Sequence, residues 1–317
     1  MQQLTFSNGD KMPIIGLGTW KSASGEVHDA VITAIKAGYR HIDCAAIYGN
    51  ESEIGQALSE VFSQGIVQRE DLWITSKLWN SAHQADDVLP ALQKTLRDLQ
   101  VAYLDLYLMH WPVALKSGLG FPEKPEDFLS LEEVPLIETW RAMEPLVDQG
   151  LVKHIGVSNF NKEKISALKS QATHMPEMNQ IELHPLLQQR DLVAYCQKEG
   201  VHVTAYSPLG SGDRPERLKK EDDINLLEEA TICQIAKKHH CTPAQVLISW
   251  AIARETAVIP KSVNPKRLEQ NLASTDVALD DEDMQKITAL DRHRRYIDGA
   301  TWTVEGAPYS MVTLWDE

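Results

Sequence analysis

Short apolar runs alternate with amphipathic stretches along most of this chain. The runs Ile14–Thr19, Arg40–Asp43, Leu72–Trp79, Leu104–His110, Lys153–Ser158, Glu177–Ile181, His202–Ser207 and Ala257–Pro260 are rich in Val, Ile, Leu and Tyr. They lack strict alternation, as strands covered on both faces do. Helical periodicity fills the intervals at Glu26–Ala37, Glu51–Phe62, Ala85–Leu99, Pro135–Gln149, Lys162–Lys169, Asp191–Lys198, Leu226–His240 with Pro243–Arg254, and Pro265–Asn271. Gly38, Gly150 and Gly200 each follow one of these patterns, where a helix needs a left-handed residue to stop. Eight strand-then-helix units with no Pro- or Gly-rich divider predict one α/β domain over residues 1–317, a closed (β/α)8 barrel of the TIM type.

Two short segments, Gln3–Phe6 and Lys11–Pro13, precede the first unit and are joined through Asn8-Gly9, a tight-turn signal. This N-terminal β-hairpin is expected to plug the barrel floor. Trp111–Val134, Pro208–Asn225 and the tail from Asp291 are longer than connections require. Loops after barrel strands belong to the C-terminal face, where barrels place their active sites.

Charge and cysteine content narrow the partners. The 317 residues carry 31 Lys and Arg against 45 Asp and Glu, a net charge of −14, which opposes nucleic acid and anionic membrane surfaces. No apolar run approaches the roughly 20 residues of a membrane span, and the first ten residues lack a secretory pattern. Cys44, Cys196, Cys233 and Cys241 are scattered without metal spacing, so reduced thiols in the cytoplasm are expected.

Chemistry-bearing side chains gather at the predicted strand ends. The second strand ends at Asp43 and runs on to Tyr48, the third ends at Lys77, and the fourth at His110. Singly, Asp43 reads as a turn cap, Tyr48 as a loop aromatic and His110 as a core histidine. A Lys ending Trp-Ile-Thr-Ser is harder to explain without a partner. Together they make a proton-transfer device: Lys77 lowers the phenol pKa of Tyr48 toward the working range, Asp43 orients Lys77, and His110 donates a hydrogen bond to a substrate oxygen. Such a group suits reduction of a carbonyl.

With these motifs in place, the sequence resembles the aldo-keto reductase superfamily, close to its aldose and aldehyde reductases. Gly38-Tyr39-Arg40-His41-Ile42-Asp43-Cys44-Ala45, then Tyr48 and Glu51 through Gly55, carry the first signature. Ile74 to Trp79, Asp105 to Pro112, Gly156 to Phe160, Gln180-Ile181-Glu182, Ala205 to Gly210 and Ile259 to Ser262 continue it. The resemblance implies a (β/α)8 monomer that binds NADPH and reduces small-molecule aldehydes or ketones, with Tyr48 as general acid assisted by Asp43, Lys77 and His110.

The cofactor comes from the resemblance alone, because Gly16-Leu17-Gly18-Thr19-Trp20 lacks the rest of a GxGxxG loop. By that resemblance Ser158, Asn159 and Gln180 hold the nicotinamide carboxamide and Tyr206 stacks on the ring. Ser207, Leu209, Ser211 and Asp213 cover the pyrophosphate, with Asp213 expected to clasp Lys261. Thr19, Trp20 and Val263 complete the cofactor set, and Gln270 and Asn271 fall at the adenine, Gln270 where relatives often carry an acid. From the residues themselves, Asn264 followed by Pro265 starts a helix beside Lys261, Ser262 and Arg267, an anion site suited to a 2′-phosphate. Trp20, Ile47, Trp79, Trp111 and Phe121 match the pocket wall. The tail, with Asp291-Arg292-His293-Arg294-Arg295-Tyr296 and Gly299-Ala300-Thr301-Trp302, departs from the apolar tail of aldose reductase.

Two other readings stay open. One is a metal-dependent hydrolase barrel drawing ligands from His41, Asp43, His110 and His184, although the Lys77 ammonium would repel the ion. The other is a nucleotide-binding regulatory or structural barrel with little turnover.

Overall fold

In the computed structural model, residues 2–315 are described, the side chain of Arg217 apart. The chain opens with β1 (Gln3–Thr5) and β2 (Lys11–Pro13), an antiparallel hairpin whose turn has Gly9 at φ 92°. Phe6 from this hairpin packs on Trp73, His154 and His202, with ring centroids 4.9, 4.3 and 4.7 Å away. The hairpin thus caps the strand beginnings, as expected.

Eight parallel strands follow: β3 (Leu17–Gly18), β4 (His41–Asp43), β5 (Trp73–Leu78), β6 (Leu104–Met109), then, after the small antiparallel pair β7 (Ala114–Leu115) and β8 (Phe128–Leu129), β9 (Val152–Ser158), β10 (Met178–Glu182), β11 (His202–Tyr206) and β12 (Ala257–Val258). They pair in the order β12-β11-β10-β9-β6-β5-β4-β3. Parallel bridges Ile15 to Val258 and Gly18 to Lys261 join the last strand to the first and close the barrel. Every residue of β5 and β6 is buried, which accounts for the lack of polar alternation along them; Lys77 in β5 and Asp105 in β6 are buried with partners, Asp43 and Arg69.

The helices α1 (Glu26–Ala37), α2 (Glu51–Ser63), α3 (Ala85–Leu99), α4 (Leu136–Asp148), α5 (Lys162–Lys169), α6 (Arg190–Lys198), α7 (Ala230–Lys238), α8 (Pro243–Ala253) and α9 (Pro265–Leu272) cover the strands. Burial in α1 falls on Val27, Ala30, Val31, Ala34 and Ile35, one face of a 3.6-residue repeat, and Gly38 ends it at φ 110°. Two short helices, α10 (Asp281–Thr288) and α11 (Met311–Trp315), complete the chain.

Some boundaries differ from the sequence reading. The first barrel strand is ordered as a ladder only at Leu17–Gly18, because its neighbours there are reached through glycine. A Cβ on Gly18 would lie 2.6 Å from the Ile259 carbonyl oxygen, so the backbones meet where no side chain fits. α7 begins at Ala230 rather than Leu226, since the Glu229 side chain caps the Ile232 amide. α10 is a further helix beyond the predicted set, started by a reciprocal capping box between Asp280 and Asp283.

Candidate active site

Three consecutive strand ends bring the reactive groups together. Asp43 ends β4, and a single 3-10 turn, Ala46–Tyr48, carries the phenol back over the barrel mouth. Lys77 lies in β5 with no exposed surface, and His110 follows β6. The Lys77 ammonium donates to Asp43 Oδ1 at 2.5 Å, to the Cys44 carbonyl at 2.8 Å and to the Tyr48 hydroxyl at 3.4 Å. The His110 and Tyr48 rings stand edge to face, 6.0 Å apart.

Burial pulls the Lys77 ammonium down, but Asp43 and then Tyr48 outweigh it and hold the pKa above its usual 10.5. Tyr48 corrects the sequence expectation: burial pushes the phenol up to about 12, and the Lys77 ammonium only partly opposes it. Tyr48 is therefore a loaded acid at neutral pH rather than a partly ionised one. Burial and the nearby Lys77 charge keep His110 far below 6.5, so its imidazole is neutral.

A hydrogen-bond network fixes this group from several strands. The second oxygen of Asp43 accepts from the Gln180 amide at 2.7 Å, and Thr19 Oγ1 donates to the Asp43 carbonyl at 2.8 Å. Ser158 Oγ donates to the Gln180 carbonyl at 2.8 Å. Asn159, held at φ 64°, donates to the His110 carbonyl at 2.9 Å and to Ser158 Oγ at 3.1 Å. The Tyr206 hydroxyl donates to Asn159 Oδ1 at 2.7 Å.

One cavity of about 750 Å³ opens over this network. Trp20, Ile47, Tyr48, Trp79, His110, Trp111 and Phe121 line it at one side, Ser158, Asn159, Gln180 and Tyr206 at its base, and Ser207, Leu209, Ser211 and Asp213 along the cover loop. Thr19, Asp43, Lys261, Ser262, Arg267, Gln270 and Asn271 also reach it. Lys77 lies behind Tyr48, out of the cavity wall.

Several expectations are revised. Asp213 pairs with Lys21 at 2.6 Å rather than with Lys261, because the Lys21 ammonium reaches across and also donates to Ser211 Oγ at 3.0 Å. Val263 and Asn264 are absent from the wall; the Asn264 side chain caps the Arg267 amide at 3.1 Å instead of facing the cavity. The hydrolase ligand set does not assemble: His41 Nδ1 contacts the Pro13 carbonyl at 3.1 Å and His184 Nε2 contacts Glu182 at 2.8 Å. Among the described residues no three His, Cys, Asp or Glu side chains form a cluster able to hold a metal ion.

Sequence reasoning missed Lys21, Ile297, Thr301 and Trp302, which line the cavity. Trp302 packs 5.7 Å from Trp79, 5.5 Å from Trp111 and 6.1 Å from Phe121. The length and aromatic content of the tail were the available signal; its return to the barrel mouth is a tertiary fact.

A phenol backed by a buried ion pair at the C-terminal mouth of a parallel barrel, facing a cavity of about 750 Å³, is the arrangement of a barrel enzyme. The sequence profile of the Aldo/keto reductase family matches residues 14–292, and the chain belongs to that family. It is 53% identical over 317 residues to an aldo/keto reductase of Synechocystis sp., covering 100% of this chain and 97% of the other. It is 50% identical over 291 residues to the Homo sapiens aldo-keto reductase family 1 member A1, covering 91% and 89%. The solved aldose reductase of Schistosoma japonicum superposes with a TM-score of 0.87 at 43% identity, over 95% of this chain and 96% of that one.

Proposed function

We propose that this oxidoreductase uses NADPH to reduce small aldehydes and ketones to alcohols, with Tyr48 as general acid. The observation that carries the reading is the half-buried Tyr48 joined to the buried Lys77–Asp43 pair, beside a neutral His110 on the wall of one cavity. The donor set suits a dinucleotide. Lys261 and Arg267 stand at the end bounded by α9, whose N-terminal amides favour a phosphate, and Tyr206 with the Ser158, Asn159 and Gln180 polar groups stands at the other. When bound, NADPH supplies the hydride.

The chain's own residues do the rest. Trp20, Trp79 and Trp111 exclude water and hold an apolar carbon skeleton. The neutral His110 donates a hydrogen bond to the carbonyl oxygen and aligns it toward the Tyr48 hydroxyl. Tyr48 gives its proton to that oxygen as negative charge develops, and Lys77, kept charged by Asp43, stabilises the phenolate left behind. Lys21 with Asp213 fastens the cover loop.

We also infer a single-domain monomer acting in the cytoplasm on small molecules, with neither nucleic acid nor membrane as partner. The −14 charge disfavours nucleic acid and anionic membrane surfaces, and no described helix is long and apolar enough to cross a membrane; monomer is what the family resemblance implies, and cytoplasm what the scattered cysteines imply. The test is a panel of aromatic, aliphatic and sugar aldehydes and ketones, following oxidation of NADPH and NADH. Several-fold or greater acceleration by aldehydes is expected, with NADPH preferred. Tight NADPH binding without turnover on any carbonyl would overturn the reading in favour of a regulatory barrel.

A further inference from the structure

The cover loop, residues 207–225, is fastened at two places. The first is the Lys21–Asp213 pair on the barrel side. The second lies on the opposite side, against the C-terminal tail. Arg294 donates with both terminal nitrogens to Asp222, Nη1 at 2.9 Å and Nη2 at 2.5 Å, and Nη2 also reaches Asp223 at 2.9 Å. Asp223 in turn pairs with Arg214 of the same loop, whose guanidinium lies 4.4 Å over the Tyr296 ring. The Tyr296 hydroxyl donates to the Ile224 carbonyl at 2.5 Å, and Lys220 pairs with Asp298 at 2.9 Å.

The tail itself is riveted to the barrel. Glu182, wholly buried at the end of β10, accepts the Tyr296 amide at 2.7 Å and the Ile297 amide at 2.8 Å, and its remaining demand is met by His184 at 2.8 Å. The Arg292 and Arg294 amides both donate to the Leu186 carbonyl, at 3.1 and 2.9 Å. A few residues further on, Ile297, Gly299, Thr301 and Trp302 form part of the cavity wall. One segment therefore contacts the substrate side with its downstream residues and grips the nucleotide cover with Arg294, Tyr296 and Asp298.

We propose that Arg294 and Tyr296 are positioning residues that hold the cover loop shut, so that nucleotide release requires the tail contact to break. The proposal rests on the nucleotide-binding reading above. An isolated exposed ion pair contributes little. Here a bidentate guanidinium, a tyrosine hydroxyl and a second ion pair act on the same two segments, and the anchored tail loses little freedom when they form. Opening the loop breaks them together.

The experiment is stopped-flow measurement of NADPH dissociation from the full chain, read by protein fluorescence, for Arg294→Ala, Asp222→Asn, their double variant and Arg294→Lys. Arg294→Ala is expected to release NADPH on the order of fivefold faster. Asp222→Asn should act in the same direction, the double variant should be no faster than Arg294→Ala alone, and Arg294→Lys should recover part of the loss. Dissociation within twofold of wild type, or independent additive effects of the two single variants, would overturn the proposal. If Arg294→Ala fails to fold, Asp222→Asn carries the test, since that side chain is 73% exposed. If the wild-type chain binds no NADPH, the proposed function falls separately. Hydrogen exchange of the amides of residues 211–225 then still decides the fastening: faster exchange in the variants supports it and unchanged exchange refutes it.

Discussion

At the scale of single residues, the site is governed by which charge is buried beside which proton. Tyr48 keeps its proton because desolvation outweighs the attraction of Lys77, and His110 stays neutral for the same two reasons acting on a base. Reduction therefore needs no titration near neutrality, and kcat/KM is expected to stay flat from about pH 6 to about pH 9. It should fall only as pH rises toward the Tyr48 value of about 12, where the acid is lost. A profile with a midpoint near pH 7 would contradict this assignment. Tyr48→Phe should lower kcat by roughly 10²–10⁴-fold while NADPH affinity, measured by fluorescence titration, stays nearly unchanged. Retained turnover would reject Tyr48 as the acid. Arg267→Ala should weaken NADPH far more than NADH, because a guanidinium pairs with the extra phosphate and not with a hydroxyl. Equal losses would move the phosphate site elsewhere.

Among the elements, close approach of backbones decides more than propensity. Gly55 lies inside α2, where alanine would ordinarily be better by up to ~1 kcal/mol. A Cβ there would stand 2.1 Å from the Asp98 carbonyl oxygen at the end of α3, so one helix rests its glycine against the other's terminus. Gly55→Ala is thus expected to destabilise the fold by ~1–3 kcal/mol, the cost of overpacking. Thermal unfolding tests it, and a raised Tm would show that the helices can separate freely. The same reasoning applies to the glycines of the Ile14–Thr19 run, read in the sequence as the first strand. A Cβ on Gly16 would meet the His41 ring, and one on Gly18 the Ile259 carbonyl just past β12, where the barrel closes. Caps, in contrast, are legible where polar residues precede a run: Asn264 caps α9 as its sequence suggests, whereas the Asp280 box is masked by the acidic stretch around it.

Across the whole molecule, the −14 net charge is distributed so that Lys21, Lys261 and Arg267 meet in one cavity. At the other end of the barrel, charge fastens the plug. His154 in β9 contacts Glu177 at 2.6 Å and Asp10 of the hairpin at 3.0 Å. Burial alone would lower its pKa, but the Glu177 and Asp10 carboxylates prevail and hold it above 6.5. Because the folded value is raised, this contribution is complete below about pH 6.5 and is lost as pH climbs through the raised value. Asp10→Asn should therefore lower the urea midpoint more at about pH 6 than at about pH 9. Equal losses at both would show that Asp10 does not act through the His154 charge.

What the sequence determined by itself is the part set by local pattern and short spacing. The eight strand–helix units, the hairpin turn and the strand-end placement of Asp43, Tyr48, Lys77 and His110 follow from periodicity along a continuous segment. Many of the cavity-lining residues came instead from the family resemblance, which rests on motifs that lie within single βα units. Tertiary structure alone decided contacts between segments far apart in the chain. Asp213 chose Lys21 over Lys261, and the tail brought Trp302 to the aromatic wall and Arg294 to the cover loop. It also set the sign of the Tyr48 shift, because desolvation depends on everything packed around a group, and no spacing within one strand records that sum.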